Sequence, residues 1–145
     1  MKIKFKKVKP NAIVPRYATS GAAGMDLCAC IDHPVIIGRG DRMLIFTGLA
    51  VELPSADYVA LVYPRSGLAF KHGITLANCV GVIDSDYRGE IGVCLYNTGE
   101  PYTINPGDRI AQLVITSVAQ PEIEEVDELS DTIRGMGGFG STGIN

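Results

Sequence analysis

The chain has 145 residues, of which 46% are hydrophobic and 20% charged, and its net charge is −3. That length and apolar content fit one domain with a real core and exclude general disorder. The slightly acidic balance argues against a broad nucleic-acid footprint, which needs a basic face. No run of about 18 apolar residues is present to span a membrane.

In chain order, Lys2, Lys4, Lys6, Lys7 and Lys9 alternate with Ile3, Phe5 and Val8, which predicts a strand with a solvated face. No apolar stretch follows these lysines, so no signal peptide is expected. Helical periodicity is nearly absent beyond this point. Short runs rich in Val, Ile, Leu and Tyr predict strands over Lys2 to Val8, Met25 to Cys30, Val35 to Ile37, Arg42 to Phe46, Leu49 to Leu53, Tyr58 to Tyr63, Ile74 to Leu76, Cys79 to Ile83, Ile91 to Tyr96, Tyr102 to Ile104 and Arg109 to Ser117. GRGD, LPSAD, NTGEP and NPGD supply turns between them. Ser66 to His72 predicts one short helical turn, with Ser66 placed like an N-cap. Many short strands at close spacing predict an all-β sandwich, jelly roll or barrel.

Cys28, Cys30, Cys79 and Cys94 all fall in apolar, strand-like sequence and form no C-x-x-C pair. Buried, reduced thiols are expected, which suits a cytosolic protein. His33 and His72 are not at ligand spacing from them, so zinc is a poor reading. The segments IGRGDRM (37–43) and INPGDRI (104–110) form an imperfect repeat, and Asp108 and Arg109 are expected to fix the turn and its neighbours. Glu122 to Asp131 holds six carboxylates in ten residues and reads as a solvated edge strand or linker. The tail RGMGGFGSTGIN cannot pack an element of its own. It divides the chain into a body, 1–133, and a mobile arm, 134–145.

The segment GVIDSDYRGEI (81–91) carries the densest chemistry. Asp84 and Asp86 lie in the turn of what reads as a β-hairpin, beside Tyr87, whose ring suits a sugar or base. Turn carboxylates often serve only the turn, but acid, ring and exposed backbone together point toward a small-molecule site. Arg65 and Ser66, in PRSG, sit before a helix start and favour an anion; an ordinary capped turn is equally consistent. Asp26 either bonds the local backbone or faces a pocket. Gln112 interrupts an apolar strand and either orients a water or faces solvent. The tail matches G-x-G-x-x-G from Gly135 to Gly140, but too few residues follow for a dinucleotide fold, and no Lys follows for a P-loop. Its glycines, Arg134 and Phe139 still suit closure over a nucleotide, with a disordered terminus as the alternative. No Ser-His-Asp or Cys-His arrangement supports covalent catalysis.

The segments AAGMDLCA, PRSGLA, GVIDSDYRGEI, PGDRIAQLVI and RGMGGFGSTG follow in that order, from Ala22 to Gly143. The set closely resembles the five motifs of the homotrimeric dUTPase family. Met136 departs from the Ser that many members carry. The resemblance implies a jelly-roll-like β sandwich, a homotrimer with shared active sites, and hydrolysis of dUTP to dUMP and pyrophosphate with Mg²⁺. It implies that Asp84 activates the attacking water and holds the 3′-hydroxyl, and that Gln112 positions water or phosphates. Asn78 and the backbone of Gly81, Val82, Ile83 and Asp84 would read the uracil edge. Tyr87 would pack on deoxyribose and exclude a 2′-hydroxyl. Arg65, Ser66 and Gly67 would hold phosphates, and Asp26 would contact a Mg²⁺-bound water. Arg134 would reach the phosphates, with Phe139 and Gly140 closing over the base. Two rivals are a dCTP deaminase of the same fold and a non-catalytic dUTP-binding trimer. Ser85, Asp86 and Tyr87 after the Ile-Asp pair, and the glycine-rich tail, favour the dUTPase reading.

Overall fold

The fold is seen in a computed structural model that describes residues 1–138. Its elements are β1 (Lys4–Lys7), β2 (Met25–Cys28), β3 (Val35–Ile37), β4 (Arg42–Phe46), β5 (Leu49–Glu52), β6 (Tyr58–Tyr63), α1 (Ser66–His72), β7 (Ile74–Leu76), β8 (Gly81–Ile83), β9 (Gly92–Asn97), β10 (Tyr102–Ile104) and β11 (Arg109–Ser117). One sheet runs β2-β11-β6-β8 and a second runs β4-β9-β7, with two-stranded pairs β1-β5 and β10-β3 beside them. Every named strand pairing is antiparallel.

Alternation along the strands decides what is buried. In β9, Val93, Leu95 and Asn97 point inward while Gly92, Cys94 and Tyr96 do not. Met25, Leu27, Ala60, Val62, Ile83, Ala111 and Leu113 from the four-stranded sheet meet Ile45, Val93, Leu95, Ile74 and Leu76 from the three-stranded sheet in one core cluster. Two sheets sharing one apolar interior make a sandwich, here the jelly-roll-like β sandwich that the strand pattern anticipates. In β1 only Phe5 turns toward this interior, leaving its lysines solvated.

Among the described residues Thr47 and Asn97 are the polar exceptions in the interior, and Asn97 has no solvent exposure. Its Nδ2 donates to Ile37 O and Glu100 O, both at 2.8 Å, and its Oδ1 accepts from Gly99 N at 2.8 Å. The side chain thus ties β3 to the turn after β9. The imperfect repeat also has a physical basis. Asp41 Oδ2 accepts from Gly38 N at 3.0 Å, and Asp108 Oδ2 accepts from Asn105 N at 2.7 Å. Gly40 and Gly107 take the matching left-handed positions, at φ 84° and 81°.

Three expectations are corrected. The strands flanking residues 84–90 do not form a hairpin: β8 pairs with β6, whereas β9 pairs with β4 and β7. The connection therefore crosses between sheets, anchored where Ile91 N donates to Leu49 O and Ile91 O accepts from Thr47 N. Ser66 is the first helical residue rather than the N-cap; Arg65 holds that position, with no side-chain cap bond. Cys79 is exposed and lies outside β8, while Cys28 and Cys30 are buried and Cys94 is half-buried, all four as free thiols. The acidic segment from Glu122 to Asp131 is exposed and carries no strand, which fits the linker reading. No helix among the described residues is long and apolar enough to cross a membrane.

Replacing Asn97 with Ala strands the buried carbonyl of Ile37 and frees the turn groups Gly99 N and Glu100 O that it ties to β3. The loss expected is about 2–4 kcal/mol, read as a lower urea midpoint at unchanged slope.

Candidate functional site

Two separate cavities collect the residues singled out by sequence. The first, of about 230 Å³, is lined by Asn78, Gly81, Val82, Ile83, Asp84 and Tyr87, with Val62, Glu90, Ile91 and Gly92. β8 is the edge of its sheet and pairs only with β6. An edge strand presents backbone donors and acceptors that no neighbour uses, so this wall can read a planar ligand edge through main chain. Just before it the chain makes a γ-turn: Val80 N donates to Asn78 O at 2.6 Å with Cys79 at φ 61°. That turn is rare and strained for a residue with a Cβ, and such strain gathers at ligand sites.

Beyond β8 the loop is held by its own side chains. Tyr87 N donates to Asp84 O at 3.2 Å. Arg88 Nη1 donates to Ser85 O at 2.7 Å and to Tyr87 O at 3.0 Å. Tyr87 Oη donates to Glu90 O at 3.1 Å. Asp84 is left with an exposed carboxylate beside the ring of Tyr87. Asp86 instead faces a different hollow, with Tyr58, Ser85 and Val118, which Asp84 also borders.

The second cavity, of about 340 Å³, is lined by Asp26, Arg65, Ser66, Gly67, Gln112 and Arg16, with Ala18, Ala22, Ala23 and Gly24. Asp26, on β2, is bonded by two guanidiniums: Arg65 Nε meets Oδ1 at 2.9 Å and Arg109 Nη1 meets Oδ2 at 3.0 Å. Arg65 Nη1 also donates to Arg109 O at 3.1 Å. Gln112 lies directly across from Asp26 in the β2-β11 ladder and reaches Pro64 O with Nε2 at 3.4 Å. Ala69 N is the first amide of α1 to find a helical acceptor, Arg65 O, so the amides of Ser66, Gly67 and Leu68 have no i−4 partner. Arg16 and Arg65 line this hollow with Asp26 as its one carboxylate, so positive charge is in excess and the hollow suits an anion such as a phosphate.

A β-bulge explains this cluster. The β2-β11 register shifts between Arg109 and Ala111, leaving Ile110 as the extra residue. Residues three apart in a regular strand face opposite sides; one bulged residue brings Arg109 and Gln112 to the same side. The bulge also lets Ile110 and Ala111 both be buried. Arg109 therefore reaches beyond its own turn to Asp26 on the neighbouring strand. Arg16 and Glu90 are not singled out by the sequence: Arg16 stands outside every motif, and Glu90, though within GVIDSDYRGEI, carries no local signal that sets it apart from a solvated turn acid. Beneath Asp26, burial and then the Asp26 carboxylate push the Cys28 thiol above its ordinary pKa, so it stays protonated and is no nucleophile.

The two cavities share no lining residue. They sit toward opposite edges of one sheet, and three strand spacings put about 14 Å between the β2 and β8 axes. Asp84 and Gln112 accordingly lie in different hollows of one chain. Arg134 donates from Nε to Gly137 O at 2.8 Å and lines neither cavity. Phe139 and Gly140 lie outside the described residues. Among the described residues no three of His, Cys, Asp and Glu cluster as metal ligands.

Comparison with known proteins places this arrangement. The dUTPase family model matches residues 10–143. The deoxyuridine 5′-triphosphate nucleotidohydrolase of Neisseria meningitidis serogroup A is 51% identical over 134 residues, covering 92% of this chain and 89% of that protein. Its counterpart in Coxiella burnetii is 51% identical over 146 residues, covering 100% and 96%. Among solved structures, a mutant dUTPase of Staphylococcus bacteriophage 80alpha with dUpNHpp superposes with TM-score 0.86 at 29% identity, covering 99% of each chain. A mutant dUTPase of phage phi11 of S. aureus, described for its coordination of a structural Mg(II) ion, gives 0.81 at 25% identity, covering 90% of this chain and 100% of that one. Matched along almost its whole length by the family model and half identical to such relatives, the chain belongs to the dUTPase family.

Proposed function

We infer that this chain is a dUTP pyrophosphatase, hydrolysing dUTP to dUMP and pyrophosphate. That activity limits uracil incorporation into DNA and supplies dUMP for thymidylate synthesis. The observation that carries the residue assignment is the division of labour between the cavities. One offers an edge strand, an aromatic ring and a free carboxylate; the other offers guanidiniums, a hydroxyl and unpaired amides.

In this reading Asn78 and the main chain of Gly81 to Asp84 take the uracil edge, in a space too tight for thymine's methyl. Tyr87 packs on deoxyribose and leaves no room for a 2′-hydroxyl. Asp84 holds the 3′-hydroxyl and accepts a proton from the water that attacks the α-phosphorus. Arg65, Ser66 and Gly67 hold the phosphate chain, and Gln112 positions the water or the phosphates. Phosphoryl transfer depends mainly on such positioning and charge stabilisation. The residues fit Mg²⁺ held mainly by the substrate: a single carboxylate, Asp26, faces the anion cavity, and Mg²⁺ keeps several waters when it sits on phosphates. When bound, it supplies charge neutralisation at the phosphate oxygens, and Asp26 would hold one of its waters.

The separation of the cavities supports a homotrimer whose sites combine the first cavity of one subunit with the second of another. Residues 134–145 then act as an arm: Arg134 reaches the phosphates, and Phe139 and Gly140 close over the base of a neighbouring site. Four free thiols support a reducing, cytoplasmic setting.

With Mg²⁺ present, pyrophosphate release is expected to be strongly selective for dUTP over dTTP, dCTP and UTP, with UTP turned over only slowly. Release of ammonia from dCTP instead would establish the deaminase. Asp84→Asn is expected to keep dUTP affinity and lose at least about 100-fold in turnover; near-normal turnover would remove the assigned base. Truncation before Arg134 is expected to leave a folded assembly with little activity, and full activity would remove the arm's role.

A further inference from the structure

Glu90 occupies a junction that the mechanism above does not use. It is half-buried, and its Oε1 accepts from Gly48 N at 2.7 Å, joining the loop after β8 to the turn between β4 and β5. Its own carbonyl oxygen accepts the phenol of Tyr87. The next residue is clamped on the same turn: Ile91 O accepts from Thr47 N and from Thr47 Oγ1, both at 3.0 Å, and Ile91 N donates to Leu49 O at 2.8 Å. The ring of Tyr87 is folded so closely over Gly89 that a Cβ there would lie 2.3 Å from Tyr87 Oη. The ring is therefore seated from below by a missing side chain and tethered at its tip to a carbonyl whose residue is fixed from the core.

We propose that Glu90 is a positioning residue that sets discrimination against a 2′-hydroxyl, by fixing Tyr87 through the Glu90–Gly48 bond. The proposal rests on the nucleotide reading of this cavity. Tyr87 itself is 45% exposed, so core packing does not immobilise it. A ring that must reject one added oxygen needs a wall that does not yield, and a displacement of about 1 Å at such a wall is worth large factors in discrimination. The carboxylate of Glu90 faces no charged partner among the described ion pairs; its use here is as a hydrogen-bond acceptor, which an amide oxygen can reproduce.

The test compares Glu90→Ala, Glu90→Gln and Gly89→Ala. Two ratios are read in each: kcat/KM for dUTP over UTP, and affinity for dUMP over UMP by calorimetry. Glu90→Ala is expected to narrow both ratios by at least about tenfold, while Glu90→Gln keeps them within about threefold. Gly89→Ala, which leaves the Glu90–Gly48 bond in place, is expected to narrow them by displacing the ring. Unchanged ratios in Glu90→Ala, with activity on both nucleotides falling together, would show a merely structural residue and overturn the proposal. Equal loss of selectivity in Glu90→Gln and Glu90→Ala would overturn it as well. A wild-type protein that prefers dUMP to UMP but releases no pyrophosphate would remove the hydrolase reading alone. The binding ratio would then still decide the role of Glu90.

Discussion

The ladder in which β11 runs between β2 and β6, with its single bulge at Ile110, sets where both cavities form. On one side the bulge turns Arg109 toward Asp26 and leaves Gln112 opposite that carboxylate. On the other side β6 fixes the register of β8 through Val62↔Gly81, Leu61↔Val82 and Ala60↔Ile83. Leu113 and Ala111, fully buried between the sheets, hold the ladder to the core. Slipping β11 by one residue would exchange its buried and exposed faces, so the core that stabilises the sandwich also specifies where its polar groups emerge.

Charge is distributed with the same economy. Asp26 would be an unfavourable neighbour for phosphate if it stood alone. With Arg65 and Arg109 on its two oxygens it instead orients two guanidiniums, one of which also donates to Arg109 O. On the far edge the lining carries two carboxylates and no basic side chain, and reading depends on shape and main chain: an unpaired strand edge, a strained turn at Cys79 and a tethered ring. A nucleotide has these same two characters, a base and sugar read by shape and a phosphate chain read by charge.

Local sequence reveals local structure here. Periodicity and turn residues place β3, β4, β6, α1, β7, β10 and β11 at their observed bounds, because alternation and Gly-Asp turns act over a few residues. What it misses is pairing. The run before Asp84 and the run after Glu90 read as a hairpin because they are adjacent, yet they belong to different sheets. Nothing in either run states its partner. Arg42 and Arg109 follow near-identical turns, and only the presence of β2 beside β11 gives Arg109 an acid to meet. Arg16, outside every motif, joins the second cavity through chain folding. Asp84, Tyr87, Asn78, Arg65 and Gln112 were legible because the ordered motifs resemble a family; that they fall into two cavities was not.

The central claim is that a working site is assembled from the Asp84 side of one subunit and the Arg65 side of another. Mixing Asp84→Asn subunits with Arg65→Ala subunits tests it most directly. Each mutant assembly alone is expected to be inactive on dUTP. In a cyclic trimer containing both kinds of subunit, one site keeps both residues intact, so reassembled mixtures should recover a substantial part of wild-type pyrophosphate release. Mixtures no more active than the two mutants apart, with mixed assemblies verified by mass, would contradict the account and place both residues in a site within one chain.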